Sequence, residues 1–361
     1  MLSLSNIADP AKRWAHELAH TQAEPSALPV AADFRIESPT QADAPAIARC
    51  FVEVYGSHYP HAEVFAPARY WASVERGELV PVIARNSAGM VVGHVALERE
   101  AGASVAERGE AVVLPAYRGH QLLELMTGRL AEQAAALKLE GVYARPVTIH
   151  TFSQRNDLRN GMAFCAVNLG LLPEDMLPQG LVIPTFGQRQ TLLLAFHFLR
   201  PQAPRTIHAP NRYRPMLAKL YAAIAAEVIF AEPQEPAAAE LTVASTLGDG
   251  GVGEICVHAV GGRPAVELER MLRDLVNRGA QVVSLSVPLQ DPGTPALAEA
   301  ARNTGFFFSG LGPGFVDGGD ALLMQWLGTP LDTGKLQIYA EQARELVFFI
   351  EADRAGLPSK S

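Results

Sequence analysis

The chain has 361 residues, of which 48% are hydrophobic and 19% charged, and its formal net charge is −8. This composition is typical of a globular chain of about two domains and excludes a largely disordered one, which would lack the apolar surface that folding buries. The acidic balance argues against nucleic-acid binding, which depends on clustered lysine and arginine. The cysteines stand far apart, at positions 50, 165 and 256, which excludes a disulfide framework and a zinc knuckle and favours a reducing, cytoplasmic compartment.

Residues 1–30 predict a short helical extension. Trp14, Leu18 and Ala19 share one side of a helix over residues 9–22. Charged residues interrupt any apolar core in the same stretch, so we expect no export signal there. No stretch of the sequence reaches the roughly 18 apolar residues of a membrane span, and no membrane partner is expected.

The residues from 31 to about 200 are predicted to form a mixture of strands and helices. Apolar runs predict strands at 34–36, 80–84, 91–97, 111–114, 142–147, 166–171 and 190–198. Helical periodicity predicts helices over 40–54, 67–76, 123–137 and 151–159. The turn residues 86–89 predict a hairpin between two of these strands.

A Pro-rich stretch at 200–204 predicts a linker, which gives domains over 31–204 and 205–361. Beyond it, strands are predicted at 252–260, 281–287, 306–308 and 322–326, with helices around 268–275 and 295–301. Gly109 and Gly253 are 144 residues apart, and so are Gly161 and Gly305. Together with the matching order of elements, this shared interval predicts an internal duplication.

Residues 112–123 predict a strand, a tight turn and then a long amphipathic helix. The first backbone N–H groups of a helix have no partner within it, and their partial positive charge attracts anions such as a pyrophosphate. An acidic protein can therefore bind an anionic cofactor at this turn. The alternative is an ordinary strand-to-helix turn in which Gly119 supplies a permissive backbone.

The wording Pro115-Ala-Tyr-Arg-Gly119, placed between a strand and a helix, resembles the GNAT acyltransferase superfamily over roughly residues 31–200. The resemblance implies a mixed, mostly antiparallel sheet flanked by helices, present here as two tandem domains of which the second is degenerate. It also implies a co-substrate, acetyl-CoA or another acyl-CoA. The pyrophosphate would lie at Arg118, Gly119, His120, Gln121 and Leu122, and the pantetheine along Val112, Val113 and Leu114. Two motif glycines are replaced, by Gln121 and Leu123.

The second signature of the superfamily, Asn, then Tyr, then Gly-Phe, falls on His150, Asp157 and Met162 when aligned on Gly161. Asp157 stands where many members have a tyrosine that protonates the departing thiolate. The resemblance thus makes Asp157 a candidate catalytic residue. A carboxyl of ordinary pKa is ionised at neutral pH and is a poor proton donor, so the favoured alternative is a solvated helix residue. His150 is a candidate base, a CoA contact or a structural residue.

Glu110 is the leading candidate for the base that deprotonates an acceptor amine, because it is on the strand that carries the cofactor. The alternative is an exposed strand-end residue beside Arg108. Tyr55, His58 and Tyr59 form an aromatic loop that borders the acceptor pocket in the superfamily, or that simply closes the sheet edge. No metal is expected, because His58 and His61 lack further ligands in the sequence.

These residues predict an acyl-CoA-dependent N-acyltransferase that acts by direct transfer in a ternary complex. The expected partners are a small-molecule amine and a second copy of the chain as a homodimer. The loop Val260-Gly-Gly-Arg263 has lost the Arg-Gly order, so only the first domain is expected to bind CoA. Two alternatives stay open: a noncatalytic acyl-CoA-binding or protein-interaction module, and a GNAT-fold enzyme that acts on a different acyl-CoA.

Overall fold

A computed structural model describes residues 34–56, 59, 61–100, 102–174, 187–232, 234, 240–316 and 319–358. The predicted N-terminal helix and His58 lie outside these residues. The chain forms two compact units, and the described residues divide into 34–142 for the first and 143–174 with 187–358 for the second. Within the described residues, no helix has both the length and the apolar character that crossing a membrane requires.

In its described residues, 34–142, the first unit contains a four-stranded antiparallel sheet and three helices. In chain order its elements are β1 (Phe34–Glu37), α1 (Ala44–Tyr55), α2 (Pro67–Glu75), β2 (Leu79–Asn86), β3 (Val91–Glu98), β4 (Val105–Val113) and α3 (Leu122–Ala136). The strands lie in the order β1-β2-β3-β4, and β2 and β3 form the predicted hairpin. Helices α1 and α3 pack on β3 and bury Phe51 and Met126.

A β-bulge interrupts the pairing of β3 with β4. His94 pairs with Val112 and Ala96 pairs with Gly109, so Glu110 and Ala111 together face one residue of β3. Glu110 has φ +48°, a left-handed conformation that costs a residue with a side chain about 1 kcal/mol. A bulge bends a strand and re-aims its side chains. The bulge therefore decides where the Glu110 carboxyl points.

The second unit contains a larger sheet. Its elements are the end of β5 (Gly141–Ala144), then α4 (Phe152–Arg159), β6 (Ala163–Leu172), β7 (Gln190–Phe198), β8 (Arg205–Ile207), α5 (Arg214–Ala223), β9 (Val228–Phe230), β10 (Thr242–Gly248), β11 (Val252–Ala259), α6 (Pro264–Asn277), β12 (Val282–Pro288), α7 (Thr294–Thr304), β13 (Phe307–Val316), β14 (Gly319–Leu327) and α8 (Glu341–Ala355). Seven of these strands follow the order β7-β6-β13-β14-β12-β11-β10, with only β11 and β12 parallel. Strands β8 and β9 form a small parallel sheet.

The predicted fold class, a mixed and mostly antiparallel sheet flanked by helices, is confirmed. The predicted boundary at 204–205 differs from the division into compact units, which falls between Val142 and Tyr143. The difference arises because β6 hydrogen-bonds to β7 on one side and to β13 on the other, which joins residues 163–172 to the C-terminal strands. The chain order β4-α3-β5-α4-β6-β7 recurs as β11-α6-β12-α7-β13-β14. The duplication itself stays a prediction.

Candidate active site

Glu110 lies at the centre of a polar cluster in the first unit. Its side chain is 4% exposed, and its Oε2 has no hydrogen-bond partner among the described residues. Burial raises the pKa of Glu110 well above its ordinary value, the charge of Glu98 raises it further, and His61 lowers it. The alternative interpretation, that Glu110 is an exposed strand-end residue, is therefore wrong, because the bulge turns the carboxyl inward.

His94 and Tyr70 hold the backbone of Glu110. His94 Nδ1 lies 2.8 Å from the Glu110 carbonyl oxygen, which can only accept, so Nδ1 carries the proton and donates it. His94 Nε2 then accepts a hydrogen bond from the Tyr70 hydroxyl, with 2.7 Å between the nitrogen and the hydroxyl oxygen. Burial lowers the pKa of His94 to about 4, which keeps the ring neutral. The strained carbonyl of the bulge is thus fixed by a histidine of one defined tautomer.

His61 and Glu98 form an ion pair beside Glu110, with 3.1 Å between His61 Nδ1 and Glu98 Oε2. Burial alone lowers the pKa of His61, but the bond to Glu98 and the charges of Glu98, Glu110 and Glu107 outweigh it and raise the pKa to about 9. His61 is therefore a cation at neutral pH. The second oxygen of Glu98, Oε1, is buried and has no hydrogen-bond partner in the described part of the chain.

The donor atoms of His61, Glu98 and Glu110 all lie within 4.8 Å of one another. Imidazole and carboxylate groups are donor types that can hold a cation. The sequence offered His61 no further ligands, and the structure corrects that reasoning by placing two carboxylates beside it. The absence of a metal stays a prediction.

Aromatic rings stand next to this cluster. The Tyr59 ring centroid lies 4.6 Å from that of Phe51, 5.0 Å from that of Tyr55 and 5.6 Å from that of His61. Burial raises the pKa of Tyr59 well above its ordinary value, and Glu110 makes the next largest contribution. Of the residues expected at the acceptor pocket, Tyr59 is thus near Glu110, and Tyr55 contacts Tyr59.

The predicted cofactor loop follows the end of β4. A 3-10 turn covers Pro115–Tyr117, where the Tyr117 hydroxyl accepts a hydrogen bond of 3.0 Å from Asn86. Arg118 is exposed, and its Nε donates to the Val113 carbonyl oxygen at 3.3 Å. Gly119 and His120 are exposed as well, and no side chain of the described residues caps α3. The first amides of α3 therefore keep their capacity to bind an anion.

Side-chain burial separates the remaining residues of the predicted cofactor surface. Val112, Leu114 and Leu122 are buried and Val113 is half-buried, so their backbone groups rather than their side chains are suited to contact CoA. Gln121 is exposed and has φ +57° and ψ +19°, the left-handed conformation that glycine adopts readily. Gln121, which replaces a motif glycine, therefore keeps the backbone conformation that a glycine would have. The sequence did not predict this.

The other two predicted catalytic residues lie in the second unit. His150 is half-buried, accepts the Phe152 N–H at 3.3 Å through Nδ1, and has its pKa lowered by burial. Asp157, expected to be a solvated helix residue, is only 2% exposed. That expectation is wrong because α4 turns Asp157 and Gln154 inward together. The roles of Glu110, His150 and Asp157 in catalysis stay predictions.

The sequence reasoning did not find His94, Tyr70 and Glu98. Only one signal was available for His94, a histidine inside the otherwise apolar strand 91–97. Tyr70 is on a helix and Glu98 at a strand end, and neither position looks unusual along the chain. Pairing of β3 with β4 brings these side chains to Glu110.

The sequence matches no protein-family model and no curated protein. The structure is similar to solved N-acetyltransferases. One from Staphylococcus aureus Mu50 is 13% identical over 46% of this chain and 99% of that chain, with a TM-score of 0.38. The ribosomal-protein-alanine N-acetyltransferase from Brucella melitensis is 18% identical over 45% and 98%, with a TM-score of 0.35. A GNAT-superfamily phosphinothricin acetyltransferase from Sinorhizobium meliloti, in complex with AcCoA, is 15% identical over 46% and 88%, with a TM-score of 0.36.

Proposed function

We propose that the first unit transfers an acyl group, most simply acetyl, from acyl-CoA to an amine, with Glu110 as the general base. The observation that carries this proposal is the Glu110 carboxyl, which is buried, lacks a hydrogen-bond partner for Oε2 among the described residues, and sits on a strained bulge. Strain of this kind is found at functional sites, where the surrounding structure holds it. The bulge is on the strand that leads into the predicted cofactor loop.

The transfer needs one proton acceptor and one electrophile. The amine nitrogen forms a bond with the thioester carbonyl carbon, the carbon–sulfur bond breaks, and the nitrogen's proton goes to Glu110 Oε2. A raised pKa makes Glu110 a stronger base than an ordinary carboxylate. The thiolate leaves without a proton donor, because a thiol pKa near 8.5 makes it a tolerable leaving group.

We propose the loop from Val113 to Leu122 as the binding site of the CoA pyrophosphate. Its support is the uncapped first turn of α3, together with the glycine-like backbone of Gln121. The exposed Arg118 guanidinium adds a positive charge beside this turn. We propose that these groups hold the co-substrate while the bulge presents Glu110 to the amine.

The test is Glu110→Gln, which keeps the shape of the side chain and removes the proton acceptor. We expect the rate of acetyl transfer from acetyl-CoA to a primary amine to fall by roughly 10²–10⁴-fold, the usual worth of a positioned base. The acetyl-CoA dissociation constant, measured by calorimetry, should not change. Glu254→Gln is the matched control, because Glu254 is exposed on β11, 144 residues from Glu110. Normal turnover by Glu110→Gln would remove the basis of the proposal.

A noncatalytic acyl-CoA-binding module is the second candidate function. The observation that favours it is the buried Asp157, which occupies the position where the superfamily has a proton-donating tyrosine. Calorimetric binding of acetyl-CoA without acylation of any amine would support this candidate. Turnover with a longer acyl-CoA but not with acetyl-CoA would instead identify a different acyl donor.

A further inference from the structure

We propose that the acceptor binds as an alkylammonium ion whose nitrogen is shared by Glu98 and Glu110, which makes Glu98 a specificity-determining residue. The bound ammonium loses one proton to solvent before its nitrogen attacks the thioester, and the second proton passes to Glu110 Oε2 as the amide forms and the thiolate leaves. This inference rests on the proposed function and names its substrate class. Glu98 comes from the end of β3 and Glu110 from the bulge of β4. Each contributes a buried carboxyl oxygen that has no hydrogen-bond partner among the described residues, Oε1 in Glu98 and Oε2 in Glu110.

The spacing of the carboxylate oxygens is compatible with an ammonium nitrogen between them. Two N–H···O bonds of about 2.8 Å at a tetrahedral angle separate their acceptor oxygens by about 4.6 Å. One ligand atom each of His61, Glu98 and Glu110 lies within 4.8 Å of the others, so carboxylate oxygens of both residues can reach one nitrogen.

The charges around the cluster also favour a cation. Carboxylates come from three elements: Glu63 on the 3-10 turn Ala62–Phe65, Glu98 on β3, and Glu107 with Glu110 on β4. The charges of Glu98, Glu107 and Glu110 all act on His61, which is the imidazolium partner of Glu98. Two carboxyl groups, those of Glu98 and Glu110, thus share one imidazolium neighbour, and a cation bound between them would favour the ionised form of Glu110.

The aromatic rings beside the carboxylates are suited to the same ligand. The rings of Phe51, Tyr55 and Tyr59 contact one another, and the Tyr59 ring also contacts that of His61. Aromatic faces attract ammonium ions and pack well against alkyl chains. An aliphatic amine therefore finds carboxylates for its nitrogen and rings for its carbon chain. An aromatic amine or a hydroxyl acceptor, being neutral at pH 7, lacks the charge that the two carboxylates attract.

The test compares two acceptors of nearly equal size, propylamine and 2,2,2-trifluoroethylamine. The first is a cation at pH 7 and the second is neutral. We expect KM to be at least about tenfold lower for propylamine, the effect of one charge-assisted hydrogen bond. Glu98→Gln should raise KM for propylamine by about tenfold and KM for the fluorinated amine much less. Because Glu98 also raises the pKa of Glu110, kcat should change by a similar factor for both amines. Loss of packing alone would affect both amines equally.

His61→Gln provides a variant of opposite sign. It removes the competing cation from Glu98, so KM for propylamine should fall relative to KM for the neutral amine. Because His61 also lowers the pKa of Glu110, kcat should change by a similar factor for both amines. With 45% of its side chain accessible, His61 can be replaced without a change in the core.

Three results would overturn the inference. Equal KM for the two amines, or equal effects of Glu98→Gln on the two KM values, would do so and leave the proposed function standing. Stoichiometric Zn²⁺ binding by calorimetry, lost in Glu98→Gln, would identify the cluster as a metal site instead. If neither amine is acylated, the proposed function fails and this inference fails with it.

Discussion

Ala166 on β6 pairs directly with Gly310 on β13, and the two residues are 144 positions apart. The same interval separates Gly109 from Gly253 and Gly161 from Gly305. Equivalent positions of two repeats face each other in an antiparallel pair only near a local two-fold axis, as in a symmetric dimer. The predicted duplication would place equivalent residues opposite each other in this way, and the duplication itself stays a prediction.

Gly310→Ala should destabilise the protein by about 2–4 kcal/mol, from overpacking and a positive φ. Gly310 has φ +144°, and an added Cβ would overlap the backbone of Ala166 and Cys165. The measurement is the free energy of unfolding in urea. Gly128→Ala is the control, because that helical glycine has open space around it and the change should stabilise α3 by about 1 kcal/mol. Equal stability of the two variants would contradict the close approach.

Glu110→Gln should increase the free energy of unfolding at pH 8 and leave it unchanged near pH 4. The raised pKa means that the folded state favours the protonated carboxyl. Stability from this group is complete below the ordinary pKa of 4.5 and is lost as pH rises towards the folded value. His94, Tyr70, Tyr59, His61, Glu63 and Glu98 surround this carboxyl and stay in place in the variant. Urea unfolding across this pH range, with Glu254→Gln as a control, measures the difference.

Tyr70→Phe should lower kcat about tenfold while the acetyl-CoA dissociation constant stays the same. The change leaves His94 Nε2 buried without its donor, which costs about 1–3 kcal/mol and releases the ring that fixes the Glu110 carbonyl. His94→Gln keeps an N–H for that carbonyl and should retain more activity than His94→Leu. Nitrogen NMR should show His94 as the neutral Nδ1–H tautomer at pH 6. A doubly protonated ring at that pH would contradict the hydrogen bond that His94 Nε2 accepts from Tyr70.

Gln121→Gly should leave acetyl-CoA binding unchanged or tighten it, because the backbone already has the conformation that glycine favours. Leu123→Gly is the comparison: it lies within α3, where glycine costs about 1 kcal/mol of helix stability. Calorimetry with acetyl-CoA and urea unfolding separate the two effects. Weaker binding by Gln121→Gly would show that the glutamine side chain itself contacts the co-substrate.

Arg118→Glu should weaken acetyl-CoA binding, because it puts a like charge beside the pyrophosphate. Its guanidinium is exposed and bonds only the Val113 carbonyl oxygen among the described residues, so the fold should tolerate the change. The dissociation constant at low and at moderate salt is the measurement. An unchanged constant at both would place the pyrophosphate elsewhere.

Periodicity and turn residues predicted much of the fold. The helix at Pro67–Glu75, the β2–β3 hairpin and strand β7 all have clear apolar patterns bounded by proline, glycine or polar residues. Strand β10 was missed because it is an edge strand that is mostly exposed and has no apolar face to recognise. Helix α8 was not predicted.

The candidate site was only partly predictable. Glu110 follows from its distance to the Arg118-Gly119 motif, which is local in sequence. The bulge that aims it depends on the register between β3 and β4, which no local pattern encodes. His94, Tyr70 and Glu98 reach the site through that register and through the packing of α2, so the sequence alone did not group them.

The position of β6 between β7 and β13 has a practical consequence for dissecting the protein. A fragment that ends at the Pro-rich stretch would remove β13 and leave β6 as a bare edge, with the buried run from Phe164 to Val167 beside it. Unprotected apolar edges pair with other chains and aggregate. The N-terminal half should therefore be produced together with its C-terminal half, as two co-expressed pieces or as the intact polypeptide.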